Sequence, residues 1–141
     1  MITETLQLFG ISPETSEIKN FGSGLINHTW LVTAAGSRYI LQRINTNVFA
    51  NPSSIDKNIN AIAGYIKQNS PEYIFTAPLH DIHGNSLVQV NNSGCYRLFK
   101  YMEGSHSYTV LQNPALAYEA AKQFGRFTKI LSGFNIDKLH I

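Results

Sequence analysis

Apolar and polar residues along this chain change their spacing several times, and each change predicts an element. Thr3 to Phe9 carries a short helical pattern, with Thr3 able to cap its start and Gly10 to end it. Ser12-Pro13 then signals a turn, and Glu17 to Phe21 reads as a first strand. Thr29-Trp30-Leu31-Val32-Thr33 and Arg38-Tyr39-Ile40-Leu41-Gln42-Arg43-Ile44 are rich in β-branched and aromatic residues. They flank the small-residue turn Ala35-Gly36-Ser37, which is the signature of a β-hairpin. Asn51-Pro52 offers a cap with proline at the first helical position. Ile55, Ile59, Ile62 and Ile66 follow at spacings of four, three and four, one apolar stripe on a helix of about four turns. Tyr73 to Val90 predicts a hairpin that turns at His83-Gly84-Asn85, and Asn91-Asn92-Ser93-Gly94 predicts a turn into a strand from Tyr96 to Met102. That strand ends at Glu103-Gly104-Ser105. Asn113-Pro114 opens the longest helix, whose stripe of Leu116, Ala120, Phe124, Phe127 and Leu131 is expected to pack as core.

Composition narrows the classes. One domain is the natural expectation for 141 residues, and 43% apolar content is enough to bury a core. Eleven basic against nine acidic side chains leave +2 with no basic run, which does not suggest dedicated nucleic-acid binding. A single cysteine, Cys95, excludes an internal disulfide and a multi-cysteine zinc site, and reads as a half-buried strand residue. The start MITETLQLFG has neither a basic leader nor a long apolar run, so a cytoplasmic protein without membrane association is expected.

The stretch with the most chemical information runs from Phe21 to Ile44. Gly22 and Gly24 stand between two strands, where glycine lets the backbone approach a bulky anion and present its N–H groups. A Walker loop would lead into a helix and need Gly-Lys-Ser/Thr, which is absent; a full GxGxxG is absent too, because Asn27 takes the third glycine's place. By itself the pair is either a phosphate cover or an ordinary hairpin connection. On the following strand Tyr39, Leu41 and Arg43 share one face, and Ile40, Gln42 and Ile44 the other. Kinases place a cation two residues after a small or apolar residue here, both facing the nucleotide, so Leu41-Gln42-Arg43 makes Arg43 the candidate cation; a surface charge is the alternative. His80-Asp81 and His83-Gly84-Asn85 precede the last strand and are better explained as turn chemistry than as a catalytic loop. The five histidines show no metal-ligand spacing.

The strings GSGLINHTWLV, YILQRINTNVFANP, YRLFKYMEGSHSY and AYEAAKQFGRF, in this order, resemble the amino-terminal part of the N-acetylhexosamine 1-kinases. Those belong with the aminoglycoside phosphotransferases and choline kinases, which have a protein-kinase-like fold. The similarity runs from about Ile18 to the end of the chain. It implies an α+β fold: an antiparallel sheet with one packed helix, over residues 1–103, and the first helix of a second lobe in 104–141. It also implies ATP with magnesium as cofactors and an amino sugar as acceptor. Nucleotide contacts are implied at Gly22, Ser23, Gly24, Asn27 and Arg43, with Phe99 as gatekeeper and Lys100, Tyr101 and Met102 as the adenine-binding hinge. Choline kinases resemble this chain in using arginine for the strand cation. The family's helix glutamate falls at Lys57, leaving either a pairing of Asp56 with Arg43 or Asp56 as a first-turn acid favouring the helix dipole.

Phosphoryl transfer to a hydroxyl needs a carboxylate to orient the nucleophile, and acid or amide side chains for magnesium. In the family these follow the hinge, in a histidine-aspartate loop and a later aspartate motif. Here the acids after the hinge are Glu119, in mid-helix, and Asp137, near the last residue. The chain therefore reads as a nucleotide-binding lobe, a fragment or truncated frame without catalytic or metal-binding residues. Its apolar helix face is then open to self-association. Two rivals stand: a non-catalytic nucleotide- or protein-binding module, and a small α+β protein whose glycines only turn the chain.

Overall fold

The alternating segments form five strands, β1 (Ser16–Asn20), β2 (His28–Ala34), β3 (Ser37–Ile44), β4 (Val88–Val90) and β5 (Gly94–Lys100). They pair into one antiparallel sheet in the order β1-β2-β3-β5-β4. Three α-helices accompany it, α1 (Ile2–Leu8), α2 (Pro52–Asn69) and α3 (Pro114–Ile130). A computed structural model describes residues 1–22, 24–90, 94–108, 110 and 113–140. Ser23 of the glycine run and Asn91-Asn92-Ser93 of the expected turn lie outside the described residues. No helix among the described residues is long and apolar enough to cross a membrane.

The β2–β3 connection is a two-residue turn with φ of 47° at Ala35 and 75° at Gly36. Both values are left-handed, which matches the twist of the flanking strands. That turn fixes the register Trp30↔Leu41 and Val32↔Tyr39, and β5 continues it with Leu41↔Leu98 and Arg43↔Tyr96. Directly opposed residues share a face. The first face is therefore Trp30, Val32, Tyr39, Leu41, Tyr96 and Leu98, and it forms the core. Val32 and Leu41 are fully buried, and Leu6 from α1 closes over them together with Ile11. The second face carries Ile40↔Phe99, Gln42↔Arg97 and Ile44↔Cys95.

Helix starts follow the expected chemistry at two of three places. The Asn51 side chain accepts the Ser54 N–H at 3.1 Å, and the Asn113 side chain accepts the Ala115 N–H at 2.9 Å, each ahead of a proline. Thr3 does not cap α1. It lies inside the helix, Met1 holds the cap position, and the Thr5 hydroxyl donates to the Met1 carbonyl at 2.8 Å.

Two further expectations are corrected. Tyr73 to Val90 is not a hairpin. Its first half contributes an isolated bridge from Leu79 to Leu98, and β4 pairs with β5 instead. The turn at 81–85 is closed by a side chain, since the Asp81 carboxylate accepts the N–H groups of His83 at 2.9 Å and Asn85 at 2.7 Å. The stripe of α3 is not core either: the helix has no buried residue, and Phe124 is 73% exposed. Among the described residues its end is what is engaged, where Phe127 stacks with Phe75 and Tyr73 at 6.1 and 6.3 Å. Beyond it, Phe134 meets Tyr65 of α2 edge-on at 5.3 Å, and the Asn58 side chain exchanges hydrogen bonds with the backbone of His140 at 2.8 and 2.7 Å.

Candidate functional site

The second face of the sheet is one wall of a cleft of about 480 Å³, within the range of small-molecule sites. Ile40 and Gln42 of β3 and Arg97 and Phe99 of β5 form that wall. Phe21 stands at the mouth just before the glycine pair, and the chain leaving β5 supplies Lys100, Tyr101, Met102 and Ser105 to Ser107. Ile40, Phe99 and Phe21 give the cleft an apolar, flat lining suited to a planar ring.

The exit of β5 is held from β3. The Tyr101 N–H donates to the Arg38 carbonyl at 3.0 Å, so that amide serves the sheet and not a ligand. Backbone groups alternate in direction along an antiparallel strand. Lys100, next to a residue bonded toward β3, therefore turns its N–H and C=O away from β3. Ser105 N–H closes a turn onto the Met102 carbonyl at 3.2 Å, with Gly104 at φ 70°. The Arg38 guanidinium pairs with Glu103 and lies 4.3 Å from the centre of the Tyr101 ring. This pairing holds the Glu103 carboxyl below its usual value. Tyr101 in turn meets Phe21 edge-on at 5.9 Å, tying the exit of β5 to the glycine connection.

The glycine connection passes from strand to strand, with no helix after it. The β1–β2 ladder extends by one bond, Phe21 N–H to Thr29 carbonyl at 2.9 Å, and Gly22 then takes φ 79°. A β-carbon at Gly22 would meet nothing within 4 Å, so backbone conformation, not crowding, requires glycine there. Gly22, Gly24 and Asn27 border a small hollow of about 180 Å³. The Asn27 side chain accepts the Asn45 N–H at 2.9 Å, anchoring this connection to the end of β3.

Arg43 is not on the cleft wall. It shares the face of Leu41, beside the core, and lies against Gly94, where an added β-carbon would come within 3.1 Å of its Nε. With His28 and residues 44–47 it lines a separate hollow of about 260 Å³. The i, i+2 pair that faces the cleft is Ile40 and Gln42. The positive charge beside Gln42 is Arg97, whose Nε and Nη2 both donate to Gln42 Oε1, at 3.0 and 2.7 Å. Gln42 Nε2 reaches Thr29 Oγ1 at 3.4 Å, so a polar row crosses β2, β3 and β5.

Among the described residues Asp56 forms no ion pair with Arg43, and its charge is felt at Arg97. Burial draws the Arg97 guanidinium down from its usual value, and the charge of Asp56 acts against that. The Asp56 carboxylate accepts the Ser86 hydroxyl at 2.7 and 2.9 Å and the Asn60 amide at 3.2 Å. It lies in the second turn of α2, with no acid in the first. Sequence reasoning passed over Gln42 and Arg97, although a signal was present. Phe99 was the expected gatekeeper, and Arg97, two residues earlier on the same strand, must share its face.

No family model matches the sequence. Among solved structures the fold is similar to spectinomycin phosphotransferase APH(9)-Ia in complex with ADP and spectinomycin, with a TM-score of 0.61 and 13% identity over 96% of this chain. It is also similar to amicoumacin kinase hAmiN in complex with AMP-PNP, Ca2+ and Ami, with a TM-score of 0.71 and 18% identity over 96% of this chain. The chain spans 37% of the first and 40% of the second. The likeness is one of fold: the five-stranded antiparallel sheet and its helices have the α+β fold of a kinase-like amino-terminal lobe.

Proposed function

We propose that this chain is the nucleotide-binding lobe of an ATP-dependent phosphotransferase whose acceptor is a sugar hydroxyl, of the N-acetylhexosamine kind. The observation that carries the reading is the cleft itself. An apolar slot between Phe21, Ile40 and Phe99 has the half-buried Arg97 in its lining, and Phe21 joins it to the glycine connection. A planar base fits the slot, where the Lys100 carbonyl and the Met102 N–H are the hinge groups left for its edge once Tyr101 N–H is committed. Triphosphate oxygens then lie beneath Gly22 to Asn27, where main-chain N–H groups and a fixed cation meet developing negative charge. Residues 1–103 are the lobe and 104–141 begin a second one.

Among the described residues no group of three or more His, Cys, Asp and Glu side chains is placed to hold a metal ion. As the resemblance to sugar kinases implies, the magnesium ligands, the base that orients the acceptor and the acceptor site are expected outside these residues. What these residues do is bind and orient the nucleotide, one part of a reaction that depends on positioning and charge neutralisation. Titration calorimetry of the chain with Mg-ATP tests this. One nucleotide per chain is expected, with adenosine competing for the same site. No heat with either ligand, in a folded sample, would exclude a nucleotide site.

A further inference from the structure

Building on that nucleotide site, we propose that the phosphate-binding cation has crossed the ladder from the third strand to the fifth. It is Arg97, braced by Gln42, that neutralises the phosphates. Kinase-like lobes usually take this charge from a lysine on the third strand, paired with an acid on the helix that follows. The corresponding cleft-facing position here is Gln42, which is neutral, and its direct cross-strand neighbour is Arg97. Two donors of the guanidinium are spent on one oxygen of Gln42, which fixes the plane of the group. Arginine has five N–H donors, so three remain for a ligand.

Asp56 completes the exchange. It supplies the helix acid, one position before the residue where the family's glutamate was expected, and Ser86 and Asn60 hold it in place. Yet among the described residues no carboxylate lies within ion-pair distance of Arg97. A half-buried cation without a close counter-ion bears a desolvation cost, and a phosphate oxygen arriving in the cleft would relieve it. Arg38, another cation near the hinge, is taken by Glu103.

The test is calorimetric titration of the full chain with ATP and with adenosine, which shares the base and lacks the phosphates. Arg97→Gln is expected to weaken ATP about tenfold or more, the loss of a charge-assisted bond, while leaving adenosine affinity unchanged. Gln42→Glu keeps the shape of the side chain, neutralises Arg97 in place, and is expected to cause a similar selective loss. The exchange Arg97→Gln with Gln42→Lys returns the charge to the third strand and should restore preference for ATP over adenosine. Undiminished ATP binding by Arg97→Gln and Gln42→Glu would overturn the assignment, as would a selective loss in Arg43→Gln instead. If the unaltered chain binds neither ligand, the nucleotide site fails as well; if it binds ATP and Arg97→Gln binds it equally, only the role of Arg97 fails.

Discussion

At Asp81 one carboxylate replaces the cross-strand partners that a hairpin would have supplied. Burial raises its pKa, but the N–H groups of Asn85 and His83, with the charge of His83, outweigh this and leave it lowered. A lowered folded value means that the group stabilises the fold above its unfolded pKa, near 3.9 for aspartate, and that the contribution is lost as pH falls through the folded value. Denaturant unfolding from pH 7 down to pH 3 should therefore show a steeper loss in the native chain than in Asp81→Asn, whose turn has no charge to titrate; parallel curves would contradict it. Side-chain direction was the hardest feature to read at single residues. The alternation of β3 was legible, but nothing local told which of its two faces would meet α1 and which the cleft. Arg43 matched the pattern of a kinase cation and went with Leu41 to the core side, while Gln42 and Arg97, unremarkable as single letters, met across the ladder. Pairing between strands 55 residues apart decides this, and local periodicity does not contain it.

Elements were legible wherever turn and cap chemistry coincided with periodicity. The β2–β3 hairpin, α2 behind Asn51-Pro52 and α3 behind Asn113-Pro114 stand within a residue or two of their expected bounds. They failed where a strand pattern had no partner available. Ile74 to Ile82 looks like half of a hairpin, but β4 is already paired with β5, and only Leu79 reaches the sheet. Amphipathic α3 shows the complementary failure: a stripe marks a face that prefers burial and does not say what buries it. Two substitutions separate these cases. Leu41→Ala, in the fully buried core, should cost about 2–5 kcal/mol; Phe124→Lys, on the exposed face of α3, should stay within about 0.5 kcal/mol. Urea unfolding of both variants measures the contrast, and comparable losses would mean that α3 is packed.

Taken whole, the molecule is a sheet with unequal faces. One is sealed by α1 and carries stability; the other is left open as a cleft whose rim is tied at Phe21, Tyr101 and Arg38. Core and cleft thus draw on alternate residues of the same strands, so the cleft face can change without disturbing the core. The α2 helix links the open face to the end of the chain, through Asp56 at one side and Asn58 and Tyr65 at the other. The resemblance to sugar kinases correctly led to the fold, because turn spacing and strand order are carried by short strings. It did not carry which side chains line the cleft, since that depends on which neighbour stands opposite. Amide NMR of the labelled chain titrated with ATP reports every backbone group at once. Shifts should gather at Phe21 to Gly24, Ile40, Gln42 and Arg97 to Met102, with Val32, Leu6 and the Arg43 hollow unmoved. Shifts centred on Arg43, His28 and Asn45 to Asn47, or spread without saturating, would show that the open face of the sheet is not where the nucleotide goes.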